Sequence, residues 1–207
     1  MAFLMAGAVH LLYRLLFGEV NSFLAAKIPE YLAGPATGSL LLLLIIPIYR
    51  ILLSDSRPFS RSFRPEPRAL LWGFLVGLLA GFLVLLIALF WSPASESALP
   101  PVGGLLAIMI WTPIVEELYY RFMIQGYLMG SMVEHGHSRQ AAKMIPLAFA
   151  TVCFLFSHDY FIAPVLLIPS LAFGLIFIQW NVTAAMISHA VYNAVLIGGT
   201  YVSQNHG

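Results

Sequence analysis

Glu116, Glu117 and Arg121 stand within TPIVEELYYRF, residues 112–122, inside a stretch otherwise apolar enough for a lipid bilayer. An ionisable side chain near the membrane midplane costs at least about 2.5 to 3.5 kcal/mol on insertion scales, so three within six positions point to a function that requires them. On a helix, Glu117 and Arg121 are four apart and face each other, and an ion pair would offset part of both costs. Glu116 lacks that partner. An apolar site without a countercharge is where a carboxylate serves as general base or acid near neutral pH. The alternative for this segment alone is a structural ion pair with a second glutamate reaching water.

Two further segments carry chemistry. In CFLFSHDYF, Phe154 and His158 share a helical face at the end of an apolar run, and in SHAVYNAV, His189 and Asn193 are likewise one turn apart. A lone histidine in a membrane helix is often a packing or interfacial residue; two beside a glutamate pair point to a site. Two familiar hydrolase arrangements are missing. There is no HExxH and no GxSxG. Ser157, His158 and Asp159 are consecutive, so they point in different directions on a helix and form no triad by themselves. Cys153 lies off the face of His158 and reads as a small buried hydrophobe. Asp159 reads as the interfacial end of a span, with a partner role toward His158 as the alternative.

The elements that must position these residues are membrane helices. Runs near the roughly 20 residues that a bilayer demands lie at Pro35–Leu53, Ala69–Trp91, Val102 to Gly130, Met144 to His158, Pro164–Trp180 and Val182–Tyr201. Met1–Phe17 is either a seventh span or a surface helix, since His10 and Arg14 share a face. The expected fold class is all-α, a polytopic bundle of six to seven spans. We expect one membrane domain over residues 1–207, with the site in residues 102–201. At about 1.5 Å per residue, Glu116, His158 and His189 lie roughly 21, 21 and 12 Å from the cytoplasmic ends of their spans. A common layer near mid-membrane is therefore within reach.

Orientation follows from the loop Arg50–Arg68, which carries five arginines against Asp55 and Glu66, whereas Ser92–Pro100 has no basic residue. The arginine-rich loop is expected in the cytoplasm, as is the loop with Arg139 and Lys143. Composition agrees with the class: 60% of the 207 residues are hydrophobic and 9% are charged, against roughly 25% charged in soluble domains. A net charge of +1 gives no reason to expect nucleic acid. One cysteine excludes an intramolecular disulfide. The start lacks a basic region before its apolar stretch and does not read as a cleaved signal peptide.

Taken in order, the motifs EExxxR (Glu116, Glu117, Arg121), FxxxH (Phe154, His158) and HxxxN (His189, Asn193) resemble the CPBP intramembrane proteases. These include the type II CAAX prenyl endopeptidases and the bacterial Abi and bacteriocin-processing proteins. The resemblance covers about half the chain, from Thr112 to Asn193. It implies that Glu116 activates water together with His158, that His189 and Asn193 hold the oxyanion, and that Glu117 and Arg121 orient them, with Phe154 in support. The family has been described both as metalloproteases and as glutamate-dependent proteases. These residues fix no cofactor: two carboxylates and two histidines could ligate zinc, and a carboxylate pair with histidine donors could equally work on water alone. If a divalent metal such as zinc is present, Glu116, His158 and His189 are its expected ligands.

The expected function is thus hydrolysis of a peptide bond in a membrane-anchored or lipidated protein or peptide, near its carboxyl end or leader junction. The expected surroundings are the lipid bilayer of a bacterial or archaeal cell membrane, with no nucleic-acid partner. The alternative is a non-catalytic, Abi-like protein that binds or gives immunity to a bacteriocin-type peptide. A transporter would show repeats or broken helices in both halves, and neither is visible.

Overall fold

In a computed structural model, described over residues 1–52, 63–91, 101–158 and 163–206, the chain forms seven helices and, among the described residues, no strand. They are α1 (Ala2–Ala25), α2 (Glu30–Leu52), α3 (Pro67–Trp91), α4 (Val102–Glu134), α5 (Ala141–Phe156), α6 (Leu167–Gln179) and α7 (Val182–His206). A 3-10 turn, Ala163–Leu166, precedes α6. Helices α1, α2, α3, α4 and α7 are long and apolar enough to cross a bilayer. At 16 and 13 residues, α5 and α6 extend only about 24 and 20 Å, short of the ~30 Å hydrocarbon core. The expected polytopic all-α bundle is what forms. Asp159, the loop arginines Arg57 and Arg61, and Ser92–Pro100 lie outside the described residues.

All six expected spans are helical, with shifted ends. Helix α4 runs on from Gly130 to Glu134, and α6 starts at Leu167 after its turn. The face of α1 shared by His10 and Arg14 packs inward: His10 is buried, and Arg14 donates to the Ser157 carbonyl at 2.9 Å. With 24 residues and that face covered by protein, α1 has the length and packing of a seventh span.

Helix α4 lies at the centre. It packs against α1, α2 and α5 through a core that includes Tyr13, Leu41, Val115, Tyr119, Ile124 and Phe154, and it also touches α6 and α7. Its backbone is not a uniform α-helix. Residues Ala107–Trp111 and Leu118–Gln125 form wider π-helical turns. Pro113 explains the first. The Thr112 N–H bonds to Ala107 O, and the next nitrogen, that of Pro113, carries no hydrogen for the Ile108 carbonyl. That orphaned acceptor matters below.

The most extensive helix pair is α3 with α7. Gly73, Gly77 and Gly81, four apart on one face of α3, put its backbone directly against Ala184, Ser188 and Val195 of α7. A Cβ on Gly73 would stand 2.5 Å from Ala184 O, and one on Gly77 would overlap Ser188 O. Small residues of this kind are how helices approach closely in lipid, where hydrophobic burial gives little help. The contacts advance together along both helices, so α3 and α7 run parallel. Asn181 fixes the start of α7: its Oδ1 accepts the Ala184 N–H at 2.9 Å, and its Nδ2 donates to Arg64 O at 2.8 Å. The packing therefore sets the depth and rotation of Ser188 and of the adjoining His189.

In an open part of a helix, glycine to alanine is neutral or favourable by roughly 0.5–1 kcal/mol. At Gly77 the added methyl must push two backbones apart, at a cost of about 1–3 kcal/mol. Gly77→Ala should lower the unfolding temperature in detergent, while Gly18→Ala, with nothing within 4 Å of its new Cβ, should not.

Candidate active site

The site is built outward from Glu117, which is 0% exposed and uses both carboxylate oxygens. Arg121 Nε, one turn on in α4, donates to Oε2 at 3.1 Å. His189 Nδ1, on α7, lies 2.9 Å from Oε1. Because a carboxylate is acceptor-only, Nδ1 is the nitrogen that carries the proton in this contact. Arg121 is also 0% exposed and donates from Nη2 to Ser170 Oγ of α6 at 2.9 Å. Its guanidinium lies 5.7 Å from the centre of the Phe154 ring on α5. One ion pair thus ties four helices to a single point. Gln125, one turn further along α4, adds a bond from Nε2 to Gly174 O at 3.1 Å.

With Nδ1 committed to Glu117, the imidazole of His189 turns Nε2 toward Glu116. The Nε2 to Oε2 distance is 3.9 Å, within ion-pair reach but longer than a hydrogen bond. Phe173 stacks on the ring at 4.8 Å and 22°, holding its plane. Glu116 itself keeps 23% of its side-chain surface exposed. The two adjacent glutamates therefore differ sharply. Glu117 is dry and fully engaged, whereas Glu116 keeps exposed surface and lies 3.9 Å from His189 Nε2.

Asn193, one turn beyond His189, donates from Nδ2 to the Ile108 carbonyl at 2.8 Å. This is the acceptor that Pro113 leaves without a backbone partner. The bond joins α7 to the first π turn of α4 and uses one of the two amide hydrogens.

His158 stands just beyond the last residue of α5. Its Nδ1 lies 2.8 Å from Phe154 O, so the proton is on Nδ1 and Nε2 is the acceptor of the neutral ring. The Phe154 and His158 rings are 4.4 Å apart. Phe154 is also 6.3 Å from the His189 ring, so the FxxxH phenylalanine is the spacer between both histidines and the arginine.

Of the residues singled out by sequence, Glu116, Glu117, Arg121 and His189 meet directly, Phe154 packs among them, and His158 joins through Phe154. Asn193 is one turn away with its amide on α4. The Glu117–Arg121 pair forms as the spacing predicts. Sequence reasoning left Glu116 with no partner and did not give Glu117 the bond to His189. It also missed Ser170, Phe173 and Gln125, whose types carry no signal until the helices are packed. Among the described residues no group of three or more His, Cys, Asp or Glu side chains is arranged to hold a metal ion. Each imidazole has Nδ1 directed at a protein oxygen, the kind of second contact that also orients a metal-bound histidine.

Removing one partner of a buried ion pair leaves the other charged and desolvated, at a cost of about 3–5 kcal/mol. Arg121→Ala should therefore unfold many degrees below wild type in detergent. Unchanged thermal stability would show that Glu117 does not depend on this partner.

Residues 98–195 match the family model described as Type II CAAX prenyl endopeptidase Rce1-like. Comparison with curated proteins and comparison with solved structures gave no match. The matched residues run from just before α4 to just past Asn193, and so enclose every residue of the EExxxR, FxxxH and HxxxN motifs. Over residues 98–195 this multi-pass integral membrane chain is thus similar to the Rce1-like, type II CAAX prenyl endopeptidase family.

Proposed function

We propose that the chain is an intramembrane endopeptidase that hydrolyses a peptide bond near the carboxyl end of a membrane-anchored or lipidated protein or peptide, with Glu116 as the base that activates water. The observation that carries this reading is the division between the two glutamates. Glu117 spends both oxygens on Arg121 and His189 and has no exposed surface, while Glu116, one residue away, is partly exposed and faces His189 Nε2.

In the proposed reaction Glu116 takes a proton from a water as its oxygen attacks the scissile carbonyl, a role worth about a hundredfold to ten-thousandfold in rate. His158 assists by accepting a hydrogen bond at Nε2, which its Nδ1 bond to Phe154 O orients. The carbonyl becomes a tetrahedral oxyanion. His189, in its doubly protonated form, donates to it from Nε2, and Asn193 donates the amide hydrogen not directed at Ile108. Removal of one such donor costs about a hundredfold to a thousandfold. Collapse of the intermediate breaks the C–N bond, and Glu116 returns its proton to the leaving amine. Glu117 and Arg121 hold His189 in place and take no part in proton transfer.

The family's prenylated substrates favour a lipid-modified peptide that approaches from the bilayer, and helices α1 to α4 present extensive apolar surface to lipid. The test compares protein termini by mass spectrometry in membranes and medium of host cells carrying wild type or Glu116→Ala at equal expression. Termini that require Glu116 support the proposal and identify the substrate. Identical termini in both strains, with protection against a bacteriocin-type peptide retained by Glu116→Ala, would instead favour the immunity reading.

A further inference from the structure

We propose that Arg14 of α1 is a positioning residue for His158, so that α1, which lies outside the family-matched residues, is a working part of the site. The proposal rests on the endopeptidase reading for its consequence in catalysis, but its structural half stands alone. Helix α5 stops at Phe156, and its last carbonyls need partners. Ser157 Oγ donates to Cys153 O at 2.9 Å, Ser157 N–H to Phe154 O at 3.1 Å, and His158 N–H to Leu155 O at 3.1 Å. The Ser157 carbonyl, just past the helix, accepts from Arg14 Nη1 at 2.9 Å.

That carbonyl belongs to the same rigid peptide plane as the His158 nitrogen. One edge of the plane is held by Leu155 O through the His158 N–H, and the opposite edge by Arg14. Both bonds together fix the His158 Cα from which the imidazole projects. A guanidinium at this place also meets the negative end of the α5 dipole, which favours a cation there. This accounts for an arginine in the middle of a 24-residue apolar helix, where charge is otherwise unfavourable.

Helix α1 is itself registered against the glutamate-bearing helix. His10 Nδ1 lies 3.1 Å from Tyr119 Oη, and the Tyr13 and Tyr119 rings stack with centres 4.0 Å apart. Tyr119 is two residues from Glu117. Arg14, one turn after His10, thus spans from the α4 side of the site to the end of α5. In effect α1 sets the spacing between the helix that carries Glu116 and the residue that carries the second proposed reactive group.

The test uses the full-length protein in detergent and in host membranes, as wild type, Arg14→Ala, Arg14→Lys and Glu116→Ala. Hydrogen exchange followed by mass spectrometry should show faster exchange in Arg14→Ala confined to peptides covering residues 153–158, with residues 112–121 unchanged. The yield of Glu116-dependent termini should fall about tenfold to a hundredfold, the scale expected when a reactive group is misplaced by about 1 Å. Arg14→Lys, which keeps a cationic donor, should recover most of both. Wild-type exchange over residues 153–158 in Arg14→Ala, or faster exchange throughout α1 and α4, would overturn the proposal. So would an undiminished yield of termini. If Arg14→Ala does not fold, Arg14→Gln is read by the same criteria. Termini that persist in Glu116→Ala would defeat the endopeptidase reading, while the exchange data would still decide whether Arg14 holds the end of α5.

Discussion

The carboxylate of Glu117, shared between Arg121 and His189, is the interaction on which the rest of the bundle depends. Each of these groups is unfavourable in an apolar interior by itself, and the geometry gives each a partner of the required kind. Arg121 then needs Ser170 for a second donor and Phe154 for its face, which commits α6 and α5 to the same point. His189 can reach Glu117 only if α7 lies at one depth and rotation, and that is set by three glycines of α3, two against the α7 backbone and one against the Val195 side chain. A buried ion pair of this kind adds little net stability over well-packed apolar residues. Its effect is on arrangement, because it penalises every packing in which the three groups are apart.

Departures from regular helix occur where the site is. Pro113 denies the Ile108 carbonyl its backbone partner, and Asn193 from α7 supplies one. The end of α5 inside the bundle leaves carbonyls that Ser157, His158 and Arg14 satisfy. Irregular backbone at membrane depth is tolerated where protein or a polar cavity surrounds it, and here Asn193 and His158, which the proposed reaction uses, are among the groups that satisfy it. In both places one residue does two things: it closes a backbone hydrogen bond and holds a side chain in a fixed direction.

Much of this was legible in the sequence for physical reasons. Charges within apolar runs stand out because bilayers penalise them, and spacings of four place Glu117 with Arg121, Phe154 with His158 and His189 with Asn193 on shared faces. The helical spans follow from their length and hydropathy. What was not legible depends on contacts between distant segments. The bond from His189 to Glu117 joins positions 72 apart, and that from Arg14 to Ser157 joins positions 143 apart. Ser170 and Phe173 look like ordinary helix residues until α6 is packed. The first π turn has a cause in Pro113; the second, over Leu118–Gln125, is marked by no proline or glycine within it.

In the proposed mechanism adjacent glutamates have opposite tasks, Glu117 in structure and Glu116 toward water. The most direct measurement is the thermal unfolding of Glu116→Gln and Glu117→Gln side by side in the same detergent, each keeping side-chain size while removing charge. Glu117→Gln should unfold well below wild type, since Arg121 and His189 lose their shared counterion, and Glu116→Gln should unfold near wild type. Equal destabilisation, or a larger loss for Glu116→Gln, would contradict the division of roles.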